Sequence, residues 1–206
     1  MNRIDTFFNT STKSIIKVVL LGDGCTGKST FFERVSKGDT EDYKFNKKYN
    51  ATTGCDVCVI PLTVNGKNVD IHLFDTAGQE QFGQLRDCYI LGADGAIIMY
   101  DITNNDTRQN VFKWVKNIKD LSAKTGTTPP NIVVCGNKLD YRKKCGPSET
   151  YAFRTSTLKG CYPTEAHIST SLISAKSGEN LWDGLHLLIK NTLGMWGNLT
   201  IEIRKD

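Results

Sequence analysis

The sequence lacks any apolar run of the roughly 18 residues that a membrane-spanning helix needs, and its first residues, MNRIDTFFNTSTK, lack the apolar stretch of a signal peptide. It also lacks a basic block longer than RKK at 142–144, and 26 basic against 22 acidic side chains leave a formal charge of only +4. Such a balance does not indicate a surface for nucleic acid. We expect a soluble, intracellular protein without a membrane anchor and without direct nucleic-acid contact.

The sequence also has no disulfide framework. Its seven cysteines are an odd number and are scattered over the chain, which indicates the reduced thiols of the cytosol or nucleus. Cys55 and Cys58 form a C-x-x-C pair, but a structural zinc site needs four ligands, and neither a second pair nor a nearby histidine accompanies them. We therefore expect no zinc centre.

The length of the chain favours a single domain. With 206 residues, of which 39% are hydrophobic, it is long enough for one buried core and too short for two ordinary domains. We predict one domain over residues 1–206, in which residues 1–13 are a flexible N-terminal extension and residues 195–206 a short C-terminal tail.

Strand and helix patterns alternate along the chain. Nearly continuous apolar runs predict central strands of a parallel sheet at 15–21, 95–100 and 131–135. Residues 55–62 and 68–74 read as an edge hairpin, and 168–173 as a weaker sixth strand. Apolar residues at helical spacing predict helices around 111–121 and 181–189, whose tryptophans we expect in the core. The fold class is therefore α/β, with a six-stranded, mostly parallel sheet, one antiparallel edge strand, helices on both faces and ligands beyond the strand carboxyl ends.

The first predicted strand ends in GDGCTGKS, residues 22–29, which satisfies G-x-x-x-x-G-K-[ST] between a strand and a helix. Lys28 would contact β- and γ-phosphates, and the Ser29 hydroxyl would bind Mg²⁺. An incidental glycine-rich turn is the alternative, and the strand and helix context disfavours it. The backbone N–H groups that can surround phosphate oxygens at the positive helix end belong to Gly24, Cys25, Thr26, Gly27 and Lys28.

A second polar motif, DTAGQE at 75–80, closes the predicted edge hairpin. Asp75 is placed to hold Mg²⁺ through water. The Gly78 N–H can approach a γ-phosphate because no side chain obstructs it, and Gln79 can orient a water molecule because its amide both donates and accepts. A plain helix cap is the alternative for Asp75 alone.

The third and fourth motifs are NKLD at 137–140 and SAK at 174–176, each at a predicted strand end. The Asp140 carboxylate can accept two donors from the edge of guanine, whereas adenine presents a different pattern. Asn137 would tie this loop to residues 22–29, which we call the phosphate loop. The Lys138 stem would cover the base, and the Ala175 N–H would donate to the guanine oxygen.

Together GDGCTGKST, DTAGQE, NKLD and SAK resemble the Ras superfamily of small GTPases over roughly residues 15–193. Within it, KKYNATTG at 47–54 and the stretch at 74–103 are more similar to the Ran branch, which serves nuclear transport, than to the Rab or Ras branches. The resemblance implies a P-loop NTPase fold, bound GTP or GDP, Mg²⁺ as cofactor and two switch segments. It also implies nucleotide contacts at Asp23, Thr30, Ser174 and Lys176.

The same resemblance assigns roles in the first switch segment. The threonine two residues before a glycine completes the Mg²⁺ shell in the family, which selects Thr52 and leaves Thr53 at a usually aliphatic position. Phe45 then corresponds to the aromatic residue at the guanine edge, and Tyr49 to the lid over the phosphates. Loop aromatics folded onto the core are the alternative for both rings.

The activity implied by the resemblance is in-line attack of water on the γ-phosphorus of GTP. Gln79 and Lys28 are the implied catalytic residues, and Ser29, Thr52 and, through water, Asp75 the metal-holding ones. Unassisted hydrolysis is slow in this class, about 10⁻⁴ per second. Implied partners are therefore a GTPase-activating protein and an exchange factor, along with nuclear transport receptors of the importin and exportin kind. We expect a monomer in nucleus and cytoplasm, since no cysteine after Cys161 can accept a prenyl group.

Some features depart from the Ran pattern. Cys25 stands where that branch has glycine, and the polar segment 141–171 is unlike the family, so it is either a solvated loop or a partner surface. Two other functions stay open on the sequence, a Rab-like role in vesicle traffic and a GTP-binding module with little hydrolysis.

Overall fold

The structure is a computed structural model that describes residues 14–38, 43–45, 52, 54–76, 83–147, 151–161, 166–194 and 199–204. The strands are β1 (Ser14–Leu21), β2 (Cys55–Val64), β3 (Lys67–Thr76), β4 (Gly95–Asp101), β5 (Asn131–Asn137), β6 (Ile168–Leu172) and β7 (Ile201–Ile203). The helices are α1 (Lys28–Ser36), α2 (Gly83–Ile90), α3 (Asn105–Thr125), α4 (Thr155–Lys159) and α5 (Asp183–Leu193), with a 3₁₀ helix at Leu139–Lys144. None of the described helices combines the length and apolarity that crossing a bilayer requires.

All seven strands form one sheet in the order β6-β5-β4-β1-β3-β2-β7. Neighbours from β6 to β3 are parallel, whereas β2 runs antiparallel to both β3 and β7. The predicted mostly parallel α/β sheet is confirmed, with its three apolar strands at the centre.

Only the number of strands differs from the prediction, since the sheet has seven strands among the described residues in place of six. Residues 201–203, expected in a short tail, pair with Leu62, Thr63 and Val64 and so cover the edge of β2. The sequence IEI is too short to predict a strand by itself, because its conformation depends on the exposed donors and acceptors of β2.

The core has two halves, one on each face of the sheet. Successive residues of a strand point to opposite faces, so Val18 and Leu20 of β1 pack beneath α1 and α5, whereas Val19 and Leu21 pack beneath α3. Each of these four side chains is fully buried. This double burial explains why β1 is apolar without alternation.

Segment 141–171 is exposed over residues 141–147 apart from Cys145, as a solvated loop would be, but residues 151–158 are anchored to the core. Tyr151 and Leu158 are buried beside α3 and β4. The Tyr100 hydroxyl donates to the Tyr151 carbonyl oxygen at 2.8 Å, so the segment also satisfies a buried polar group. Two apolar anchors in an otherwise polar segment do not form a periodic pattern from which burial is predicted.

Candidate functional site

The four polar motifs follow the carboxyl ends of β1, β3, β5 and β6. Because these strands are mutually parallel, their carboxyl ends lie at the same edge of the sheet. At this edge the Thr76 hydroxyl donates to the Leu20 carbonyl oxygen at 2.7 Å, which ties the end of β3 to that of β1. The fold therefore brings the motifs together.

The phosphate loop after β1 depends on two glycines. Gly22 has φ of 132°, and a Cβ there would lie 2.1 Å from the Met99 carbonyl oxygen. Gly27 has φ of 95°, and its Cβ would lie 2.2 Å from the Asn137 side-chain nitrogen. Cys25 also adopts positive φ, at 62°, a region that favours glycine, so the loop carries local strain at this residue.

Lys28 begins α1 and turns back into the loop. Its ammonium group donates to the Gly22 carbonyl oxygen at 2.9 Å and to the Asp23 carbonyl oxygen at 2.8 Å. Burial lowers the pKa of Lys28 from 10.5 to about 8, against the opposing effect of the Asp75 and Asp23 charges. Among the described residues this buried ammonium donates to carbonyl oxygens, so it would gain from an anionic ligand.

Three oxygen-bearing side chains meet between β3, α1 and residue 52. The Ser29 hydroxyl lies 2.8 Å from the Thr52 hydroxyl and also hydrogen-bonds to Asp75. Burial raises the pKa of Asp75, and one of its carboxylate oxygens, Oδ1, is buried without a hydrogen-bond partner among the described residues. Hard oxygen ligands around an unsatisfied buried carboxylate fit a Mg²⁺ ion.

Asn137 connects the phosphate loop to the loop after β6. Its amide nitrogen donates to the Thr26 carbonyl oxygen at 2.8 Å, and its amide oxygen accepts from the Ala175 N–H at 2.9 Å. The tie to the phosphate loop that the sequence predicts is thus present as a hydrogen bond. The Ala175 N–H, however, is paired with Asn137, and its contact with a guanine oxygen stays a prediction.

Asp140 is held by the SAK residues. One carboxylate oxygen accepts from the Ser174 hydroxyl at 2.7 Å, and the other lies 3.4 Å from the Lys176 ammonium. The Lys176 ammonium also lies 5.9 Å from the centre of the Phe45 ring, which is 39% exposed. Phe45 therefore sits beside the predicted base-reading residues and is not folded into the core.

Lys138 adopts a left-handed backbone conformation, with φ of 70°. Its ammonium pairs with the Asp101 carboxylate at 2.7 Å, and the other oxygen of that carboxylate accepts from the Thr103 N–H and hydroxyl. The ion pair fixes the head group of Lys138 at the end of β4, and the contact of its aliphatic stem with a base stays a prediction.

The structure adds two residues of α3 to the site, Trp114, which the sequence assigns to plain packing, and Asn110, to which it assigns no role. Asp23 accepts from the Trp114 indole N–H at 2.8 Å and from the Asn110 amide at 2.7 Å. The only sequence signal is the i, i+4 spacing of Asn110 and Trp114, which places both on one face of a helix. That pattern does not name an acceptor 87 or more residues earlier.

The other predicted site residues are either partly buried in the phosphate loop and α1 or lie outside the described residues. Thr30 is half-buried in the first turn of α1, and Gly24 is half-buried in the phosphate loop. Four predicted residues lie outside the described residues: Tyr49, Thr53, Gly78 and Gln79.

Comparisons with known proteins agree with this architecture. A sequence model described as the Ras family matches residues 17–193. The chain is 37% identical over 152 residues to the GTP-binding nuclear protein Ran of Giardia intestinalis, covering 68% of this chain and 65% of that protein. It is 41% identical over 129 residues to the GTP-binding nuclear protein GSP1 of Encephalitozoon cuniculi, covering 62% of this chain and 56% of that protein. The matched segments thus span less than two thirds of either relative. With a family match over nearly the whole chain and a sheet that places the described residues of the four motifs at one edge, the chain belongs to the Ras family of small GTPases.

Proposed function

We propose that this protein is a molecular switch that binds GTP and GDP with Mg²⁺ and hydrolyses GTP. The observation that carries the proposal is the position of Asn137, whose two hydrogen bonds hold the phosphate loop and the loop after β6 as one unit. Residues suited to phosphates and residues suited to a base are then kept at a constant separation. A nucleotide is the ligand class that has both parts.

Guanine specificity would depend on Asp140. An ionised carboxylate accepts two hydrogen bonds and donates none, which complements the adjacent donors of guanine. Ser174 and Lys176 hold the carboxylate in place but leave capacity for further donors, because each oxygen accepts two.

Exchange of this carboxylate for an amide tests the base. Asp140→Asn replaces one acceptor by a donor. The preference of the protein should therefore shift from GDP towards xanthosine diphosphate (XDP), whose base has an oxygen in place of the guanine amino group. Competition of GDP, XDP and ADP against a labelled nucleotide measures the shift, with the exposed Asp120→Asn on α3 as the control. Wild-type protein that prefers ADP, or binds none of the three, would overturn the proposal.

The catalytic assignment rests on the charges at the phosphate end. Mg²⁺, when bound by Ser29, Thr52 and, through water, Asp75, would neutralise charge on the β- and γ-phosphates. The Lys28 ammonium would contact the same oxygens, exchanging part of its carbonyl contacts for an anionic ligand. Gln79 would orient the attacking water through its amide.

Single-turnover hydrolysis of GTP tests this assignment. We expect Gln79→Leu to retain GTP and to lower the rate constant by at least about tenfold in the presence of an activating protein. The matched control is Gln109→Leu on the exposed surface of α3, which should hydrolyse GTP like wild type. Retained turnover in Gln79→Leu would remove Gln79 from the mechanism, and no turnover in wild type would favour a GTP-binding module.

The cellular role we propose is nucleocytoplasmic transport, with the protein moving between nucleus and cytoplasm as a monomer. It is supported by the names of both relatives, which are GTP-binding nuclear proteins. Its partners would be a GTPase-activating protein, an exchange factor and receptors of the importin and exportin kind. Affinity capture with GTP-locked Gln79→Leu against GDP-bound wild type tests the role, because transport receptors should be enriched on one nucleotide state only. Enrichment of vesicle-traffic proteins instead would favour the Rab-like alternative.

A further inference from the structure

Asp23 uses its two ends for different purposes. Its carboxylate faces α3 and accepts from Asn110 at 2.7 Å and from Trp114 at 2.8 Å. Its carbonyl oxygen faces the phosphate loop and accepts from the Lys28 ammonium at 2.8 Å and from the Thr26 hydroxyl at 2.9 Å. One residue therefore links a helix on the surface of the sheet to the cation of the phosphate loop.

The carboxylate contact is directional and well anchored. Asn110 and Trp114 are one helical turn apart, so both side chains leave α3 on the same face. Trp114 is only 5% exposed, and its buried N–H must find an acceptor. Both donors go to a charged group, and hydrogen bonds of this kind are stronger than those between neutral groups.

A fixed carboxylate restricts the rotation of the Asp23 peptide group. The carbonyl oxygen of that peptide is one of two that hold the Lys28 ammonium, and the other belongs to Gly22. Gly22 cannot adjust freely, because its backbone lies against Met99. The position of the ammonium then depends on the orientation of Asp23.

We propose that Asn110 and Trp114 are positioning residues that hold Lys28 in place for phosphate through Asp23. We name these three residues, Asp23, Asn110 and Trp114, the α3 clamp. The proposal rests on the proposed function, since the phosphate belongs to the bound nucleotide, and it extends that function to a helix outside the four motifs. A loose α3 clamp would leave the nucleotide site intact in composition but weaker in retention.

Release of a labelled GDP from the full-length protein tests the α3 clamp. We expect Trp114→Phe and Asn110→Ala each to raise the dissociation rate constant roughly tenfold, as the loss of one hydrogen bond to a charged group predicts. Trp182→Phe is the matched control, because Trp182 stacks on His186 beside α5 and makes no described contact with the phosphate loop. It should change the rate by less than about twofold.

A double-variant cycle separates positioning from general destabilisation. Asp23→Ala should also accelerate release, and adding Trp114→Phe to it should cause no further acceleration, because both act through one carboxylate. Effects that multiply, or single variants that release GDP at the wild-type rate, would overturn the α3 clamp. If Trp114→Phe does not fold, Asn110→Ala in the same cycle decides, since Asn110 is only half-buried.

Failure of the two proposals gives different results. Wild-type protein that retains no labelled GDP contradicts the proposed function and the role of the α3 clamp together. Wild-type protein that retains GDP, with clamp variants that match Trp182→Phe, contradicts the clamp alone.

Discussion

The side chain of Lys28 is almost withdrawn from solvent, and this burial determines how the nucleotide-free protein responds to pH. Below about pH 8 the ammonium is charged in both the folded and the unfolded chain, and its desolvation lowers stability. Between about 8 and 10.5 the folded chain releases this proton while the unfolded chain keeps it. The contribution of Lys28 to the free energy of unfolding should therefore rise with pH across that window.

Replacement of the ammonium by an apolar side chain measures this effect. We expect Lys28→Met to be the more stable protein at pH 7 and to lose that advantage by pH 10, as urea unfolding of nucleotide-free samples would show. With Mg²⁺ and GDP bound, phosphate would keep the ammonium charged, so the dependence in this window should disappear. A stability difference that stays constant from pH 7 to 10 without nucleotide would contradict the burial of Lys28.

Cys25 is exposed at the centre of the phosphate loop, whereas Cys135 is fully buried and burial raises its pKa to about 12. A nucleotide bound by this loop would cover the Cys25 thiol. We expect iodoacetamide to alkylate Cys25 faster in nucleotide-free protein than in the GDP complex, by peptide mapping with mass spectrometry. Cys161, which is exposed in the turn after α4, is the internal control for the alkylation rate. Equal rates for Cys25 in the two states would sink the idea.

Gly27 shows how closely the phosphate loop approaches β5. Gly27→Ala forces a methyl group against the Asn137 amide, at 2.2 Å, in addition to the cost of positive φ. Gly38→Ala has a similar φ cost, since Gly38 has φ of 78°, but no atom of the described residues lies within 4 Å of its Cβ position. We expect Gly38→Ala to cost about 1 kcal/mol and Gly27→Ala roughly 2 kcal/mol more in urea unfolding. Equal costs would mean that the loop can move away from Asn137.

Among the structural elements, β7 extends the sheet beyond the hairpin. It pairs with β2 over only three residues, and a buried ion pair adds to this contact, with Arg204 on Asp70 of β3 at 2.5 Å. Asp70 is 5% exposed. This ion pair adds to the hydrogen bonds that dock β7, among them the Arg204 N–H to the Pro61 carbonyl oxygen at 2.9 Å.

The cost of breaking this ion pair should exceed that of a surface pair. We expect Arg204→Met to lower the free energy of unfolding by about 2–4 kcal/mol, because it removes a cation that lies against a buried carboxylate. Arg142→Met breaks a solvent-exposed pair with Glu179 and should cost much less than Arg204→Met. Addition of Asp70→Asn to Arg204→Met should restore part of the loss. Equal losses of stability for the two arginine variants would show that the Arg204–Asp70 ion pair does not hold β7.

The α3 helix illustrates what a periodic pattern predicts. The spacing of Val111, Val115 and Ile118 indicates an apolar face, and all three are buried against the sheet. The same spacing does not reveal that the Trp114 ring also donates a hydrogen bond to Asp23, because periodicity reports burial and not the partner.

Across the molecule as a whole, Asn137 is the residue on which two separate loops depend. Asn137→Ala would leave the Thr26 carbonyl oxygen and the Ala175 N–H without their partner. We expect a loss of about 2–4 kcal/mol in the free energy of unfolding. The stabilisation of the folded protein by bound GDP should also decrease. GDP at a hundred times its Kd adds about 2.7 kcal/mol to the free energy of unfolding only when the binding site is intact.

The opposite end of the same strand supplies the control. Asn131 also accepts a backbone hydrogen bond, from the His167 N–H at 2.9 Å, but at the amino end of β5. Asn131→Ala should keep the full stabilisation by Mg²⁺ and GDP in thermal unfolding. A normal GDP shift in Asn137→Ala would contradict its bridging role.

The sequence by itself determined the composition of the site, because a phosphate loop, a Mg²⁺-holding carboxylate and a guanine-reading carboxylate each need particular residues at short spacing. It also determined the central strands, since burial on both faces removes polar residues from them. Patterns of this kind depend only on residues that are close together in the sequence.

Only the tertiary structure decided which distant groups meet. The docking of β7, the burial of Tyr151 and Leu158, and the pairing of Asp23 with Trp114 each join residues that are far apart in the chain. Such contacts depend on the approach of surfaces after the sheet has formed, and a hydrogen-bond donor does not encode its acceptor. Position 23 accordingly reads as one variable residue of a glycine-rich loop, and becomes an anchor only when α3 packs beside it.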